Sequence, residues 1–159
     1  MALNYTLYLE RANNEIKLAE IILTISKNKN LQMDIFRIDM PETYYSAVIS
    51  HAYYCIFYSA KAYLATKGIK TKAPEEHKKT YNKFKKLVEE GIVDKELLKI
   101  YADILVKAEN LLGIFKFEKG KRGTFTYQKL SQANLEPANE SLENAKIFYR
   151  NINLLVRKG

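Results

Sequence analysis

The chain has 159 residues, 47% hydrophobic and 28% charged, a composition that suits one compact domain with a shared core and excludes a disordered polymer. Lys and Arg total 26 against 18 Asp and Glu, a formal charge of +8 with a pI near 9.4. Such a balance attracts polyanions without selecting a fold, so nucleic acid is a permitted partner and a lysine-rich solvated surface is the plain alternative.

Apolar positions at Tyr5, Leu9, Ala12, Ile16, Ala19 and Leu23 recur at the spacing of one helical stripe, which predicts a first helix ending near Lys27. The opening MALNYTLYLERANNE meets polar and acidic residues at once and lacks the basic head and apolar run of a secretion signal, so a cytoplasmic location is expected. In SKNKN, Asn28 and Asn30 favour a turn. Asp39, with Glu42 following at capping-box spacing, is expected to cap a second helix over about Pro41–Lys67.

That second segment, PETYYSAVISHAYYCIFYSAKAYLATK, is apolar or aromatic on most of its circumference and must therefore be surrounded. Its place is the centre of a bundle, where Ala47, Ala52 and Ala60 let neighbours approach closely. Ser46, Ser50, His51, Ser59 and Lys61 interrupt it and argue against a membrane span. Cys55, the sole cysteine, permits no intramolecular disulfide and reads as a buried thiol in a reducing compartment. Gly68 suits a left-handed helix end. A helix too apolar for four short neighbours to cover predicts a homodimer.

A third helix is expected from Pro74 to Gly91 with Tyr81, Phe84 and Val88 on one face, and it is very basic. Asp94 can cap a fourth, whose Leu97, Tyr101, Ile104, Ala108, Leu111 and Phe115 repeat with the spacing of near-parallel bundle packing. EKGKRGTFTYQKLSQA then breaks the pattern, with a turn between Gly120 and Gly123 and a short extended segment from Thr124 to Tyr127. A last helix carries Leu135, Ala138, Leu142, Ala145, Phe148, Ile152 and Leu155, with Pro137 tolerable in its first turn. Together these predict an all-α, up-and-down bundle of about five helices forming a single domain over residues 1–159.

Little in the chain builds a catalytic centre of a familiar kind. Two histidines, no CxxC and no paired ligands at metal spacing leave no metal site to expect, and no cofactor is expected, since the glycine-rich phosphate loops are absent. His51, among aromatic residues, reads either as a partly buried histidine hydrogen-bonded across the bundle or as a proton-transfer group. The tyrosines of the central helix, Tyr44, Tyr45, Tyr53, Tyr54, Tyr58 and Tyr63, suit core and interface better than base stacking.

Between Lys67 and Lys86, lysines at 67, 70, 72, 78, 79, 83, 85 and 86 face only Glu75 and Glu76, a local charge of +6. This patch, Lys72, Lys78, Lys79, Lys83, Lys85 and Lys86 above all, suits phosphate backbones or is a solvated face. In KFEKGKRGTFTYQK, Lys116, Lys119, Lys121, Arg122 and Lys129 interleave with Phe117, Phe125 and Tyr127, which suits single-stranded nucleic acid or a loop packing its aromatics on the bundle.

SHAYYCIFYSAKAYLATKG, from Ser50 to Gly68, resembles the pattern S-x-A-Y-Y-A-M-F-x-A-A-x-A-L-L-x-x-x-G of one prokaryotic branch of the HEPN superfamily. Ser50, Ala52, Tyr53, Tyr54, Phe57, Ala60, Ala62, Leu64 and Gly68 match as they stand, and His77 falls where that branch often carries a Thr-His or Ser-His pair. The resemblance implies a helical bundle, commonly dimeric, that cleaves RNA, binds a nucleotide, or pairs with a small nucleotidyltransferase in a toxin–antitoxin module. Ribonuclease members use Arg-x4-6-His, in which Arg stabilises phosphate charge and His transfers protons. None of Arg11, Arg37, Arg122, Arg150 and Arg157 has a His at that spacing, and His51 stands where the branch frequently has Arg. The expectation is a non-catalytic or degenerate HEPN-like protein that binds RNA, a nucleotide or a nucleotidyltransferase partner. The alternative is a metal-independent ribonuclease with an atypical site built from His51, Arg122 and Tyr127.

Overall fold

A computed structural model of the protein describes residues 4–112 and 134–158. They form α1 (Tyr5–Lys27), a single wide π turn (Leu31–Ile35), α2 (Tyr45–Thr66), α3 (Glu76–Glu89), α4 (Lys95–Leu112) and α5 (Leu135–Lys158). The all-α, up-and-down architecture and the five α-helices are those the apolar spacing predicts, and the described residues contain no strand.

Helix α2 lies in the middle and packs against each of the other four, most extensively against α1. Ala52, Ala60 and Ala62 on α2, with Ala12 and Ala19 on α1, are fully buried, so minimal side chains let the backbones approach. Most of α2 is buried within this one chain, Tyr53 and Ile56 completely. Neighbours in the same chain thus cover most of the central helix and leave Ser50, His51, Tyr54 and Tyr58 partly exposed. Cys55 is buried, and desolvation raises its thiol pKa, which leaves it protonated and inert. At the far side of the core, Phe84, Tyr101 and Phe148 meet with ring centroids 5.4–5.8 Å apart and tie α3, α4 and α5 together.

Both glycine-terminated helices end as their sequences imply. Gly68 and Gly91 have φ of 73° and 75°, and each closes a Schellman motif: Ile69 N–H donates to Leu64 O and Gly68 N–H to Ala65 O, while Ile92 N–H donates to Leu87 O and Gly91 N–H to Val88 O. Asp94 caps α4, its Oδ1 accepting from Glu96 N at 2.9 Å.

Two helix starts differ from expectation. Residues 39–44 are not helical, because the backbone of Glu42 is bonded to Gln32 instead of joining a capping box. Gln32, fully buried, donates to Ile25 O at 2.7 Å and Glu42 O at 2.8 Å and accepts from Glu42 N at 2.9 Å. Tyr44 N–H in turn donates to Ser26 Oγ at 2.8 Å, so the approach to α2 is fastened to the end of α1. Helix α3 begins at Glu76, two residues after Pro74, since Glu75 sits in the left-handed region with φ of 57°. Its buried residues are Thr80, Phe84 and Leu87, and Tyr81 and Val88 are half-buried at the edge of that face. Phe115, the turn between Gly120 and Gly123 and the extended segment Thr124 to Tyr127 lie outside the described residues.

Replacing Gln32 with Leu strands the Glu42 amide and two carbonyls without partners, and the expected loss is about 1–3 kcal/mol of stability. Chemical denaturation followed by circular dichroism measures it; a Gln32→Leu variant as stable as the parent would show that something else holds the segment.

Candidate nucleic-acid interface

The lysines of α3 are all on its outer side. With Thr80, Phe84 and Leu87 turned into the core, helical geometry puts Lys78, Lys79, Lys83, Lys85 and Lys86 in an arc of about 160° on the opposite side. All five are exposed, as is Lys72 just before the helix. Lys79 Nζ donates to Lys72 O at 3.2 Å, which folds the lead-in segment against the helix and brings both lysines together. Lys85 stands 4.0 Å from Glu89, a solvent-screened i,i+4 pair, while Lys78, Lys83 and Lys86 form no ion pair with another described residue. The result is a cationic face free to meet phosphate. Lys119, Lys121 and Arg122, predicted for the same interface, lie outside the described residues.

A second polar assembly occupies the seam between α1 and α2, where α3 abuts it. His51 Nδ1 lies 2.5 Å from Glu15 Oε2, a charge-assisted contact in which Nδ1–H donates and Nε2 is left as the basic nitrogen. His51 is thus joined across the bundle, and its partner is Glu15. Arg122 and Tyr127, the other members of the atypical site considered for catalysis, lie outside the described residues.

One turn before Glu15, the Arg11 guanidinium sits over the Tyr58 ring, 5.5 Å from its centroid. Tyr8 stacks on the same ring at 6.5 Å and 16°, and Tyr54 follows at 6.3 Å and 30°. These three tyrosines are half-buried; Tyr45, Tyr53 and Tyr63 are core residues, as the reading of these tyrosines as core predicts, whereas Tyr44, just before the helix, is exposed.

Lys61 anchors the α3 end of the seam. Its buried ammonium pairs with the Glu76 carboxylate, donates to Thr71 O at 3.4 Å, and lies 5.0 Å and 5.6 Å from the Tyr8 and Phe57 ring centroids. A buried charge is tolerable when it is paired and hydrogen-bonded in this way. His77, next to Glu76, stacks on Phe57 at 4.2 Å, and its Nδ1 lies 2.9 Å from the Tyr53 hydroxyl. Burial pushes its pKa below the ordinary histidine value, so the neutral ring is favoured.

Sequence reasoning missed Glu15, Arg11, Tyr8 and Lys61 as members of this seam. The signal was present as two stripes, 8-11-15 on α1 and 51-54-58-61 on α2, but nothing in the sequence states that these stripes face each other.

Among the described residues no group of His, Cys, Asp and Glu could hold a metal ion, and no helix is long and apolar enough to cross a membrane. Residues 32–155 match the family model for the HEPN domain, a match that begins after α1. No curated protein and no solved structure matches the chain.

The seam has a pH signature. Because folding lowers the His77 pKa, the unfolded chain binds more protons than the folded one as pH falls through the ordinary value of 6.5, so stability is full above that value and declines below it. A His77→Gln variant should show a flatter dependence of unfolding free energy on pH across this range; equal slopes for parent and variant would assign the acid sensitivity elsewhere.

Proposed function

The chain belongs to the HEPN family, and on that premise we propose that it is a non-catalytic member that binds RNA through the lysine face of α3. The observation that carries this reading is the arc of exposed lysines, with Lys78, Lys83 and Lys86 unpaired among the described residues. Lysine is a flexible point charge and contacts phosphate by counterion release with little base-reading geometry, so the binding is sequence-tolerant and salt-sensitive.

The absence of cleavage rests on the two histidines. Neither stands at the Arg-x4-6-His spacing of the family's ribonucleases, and His77 is a half-buried, preferentially neutral ring stacked in an aromatic nest. The His51–Glu15 contact supports a second reading: a carboxylate that fixes the imidazole tautomer is how a general base is oriented, so His51 is the residue through which a metal-independent ribonuclease would work.

Fluorescence anisotropy of a labelled RNA, repeated over a range of salt, tests the lysine face. Exchanging Lys78, Lys79, Lys83 and Lys85 for Glu is expected to abolish binding, and single Lys→Gln changes are expected to reduce the salt slope by about 0.7 for each phosphate of a single strand that is no longer neutralised. Undiminished binding by the quadruple variant would reduce the patch to a solvated face. RNA incubated with the protein in EDTA is expected to stay intact; cleavage by the parent that His51→Ala loses would establish the second reading, since a contaminating nuclease would not respond to the substitution.

A further inference from the structure

The half-buried tyrosines of the α1–α2 seam form a row in which Tyr54 and Tyr58 pack against the core on one side and, with Tyr8, reach water on the other. Tyr53, Tyr63 and Tyr101 are sealed in the interior, at 0%, 4% and 0% exposure. Tyr8, Tyr58 and Tyr54 instead keep part of their surface in water while stacking in succession at 6.5 Å and 6.3 Å. Exposed Arg11 lies over the middle ring, and half-buried His51 stands one turn before Tyr54 on the same stripe of α2. The row lies beside the start of α3: Tyr54 meets His77 edge-on at 6.0 Å, and the next residue in α3 is Lys78.

We infer that the row Tyr8–Tyr58–Tyr54, with Arg11 over its centre, is a stacking platform for the unpaired bases of single-stranded RNA whose phosphates lie on the α3 lysines. The inference rests on the RNA-binding reading above and assigns it a strand type. Every base has a π face, so aromatic rings bind unpaired bases without regard to sequence, and an arginine plane stacks on a base as a ring does while its charge meets phosphate. In duplex RNA those faces are already stacked, so a platform of this kind selects single strands. Tyr8 and Arg11 come from α1, which precedes the residues that match the family model, so the platform is assembled partly from sequence outside that match.

The chain contains no tryptophan, so Tyr58→Trp installs a single indole reporter in the centre of the row while preserving an aromatic surface. Titration with a short oligouridylate is expected to quench its emission, and titration with duplex RNA is not. In parallel, Tyr8→Leu with Tyr58→Leu is expected to weaken oligouridylate binding between about fivefold and a hundredfold with an unchanged salt slope, because stacking and not charge is removed. This separates the platform from the lysines, whose loss lowers the slope. Oligouridylate binding that leaves both the indole emission and the affinity of the leucine variant unchanged overturns the platform and leaves the lysine face standing, whereas a parent protein that binds no RNA at all overturns both. Should the leucine variant melt at the assay temperature, the indole emission decides by itself.

Discussion

A helix that is apolar around nearly its whole circumference has one stable location, the middle of other helices, and α2 imposes that requirement on the rest of the chain. The remaining elements answer it. Small residues on α1 and α2 bring the two backbones together, α3, α4 and α5 close the other sides, and the Gln32 and Ser26 hydrogen bonds fasten the non-helical approach to α2 onto the end of α1. Lys61 is the exception that the arrangement has to accommodate. Its charge lies inside the apolar envelope and is held there by Glu76, by Thr71 O and by the faces of two aromatic rings, contacts that also bind α1 and α3 to the central helix.

Charged and polar groups are pushed to the edges by the same requirement. With its apolar stripe turned inward, α3 has only one side left for its lysines, and a dense cationic face follows directly from packing. Exposed lysines of this kind act through the field they create and through counterion release, which is screened by salt and tolerant of sequence. The α1–α2 seam differs in kind. There Glu15 and His51 are partly desolvated and exposed Arg11 lies over the Tyr58 ring, so contact geometry counts for more and bulk charge for less.

Much of the fold could be read from the chain because its determinants are local. Steps of three and four along α1, α4 and α5 report one buried stripe each, and the two glycine helix ends at Gly68 and Gly91 follow from a residue type that alone takes positive φ without strain. The starts of α2 and α3 were misplaced for an equally physical reason. Asp39 and Glu42 have the right spacing for a capping box, but Gln32, ten residues before Glu42, takes both backbone groups of Glu42, and no local rule anticipates a partner that distant. At Pro74 the expected helical start yields to the left-handed conformation of Glu75, which lies beyond what a preference for proline in the first turn can signal.

The sequence by itself determined the all-α class, the central position of the second helix, the cationic character of the third and the absence of the family's Arg-x4-6-His pairing, because composition and periodicity act along one chain and need no partner to be evaluated. Only the tertiary structure decided that α2 is covered within a single chain, that His51 belongs to Glu15, and that Tyr8 and Arg11 of α1 stand against Tyr58 of α2. Each of those outcomes depends on which stripe of one helix meets which stripe of another. That register is chosen by how side-chain volumes interlock across the whole core, a property of all the helices at once and not of any segment.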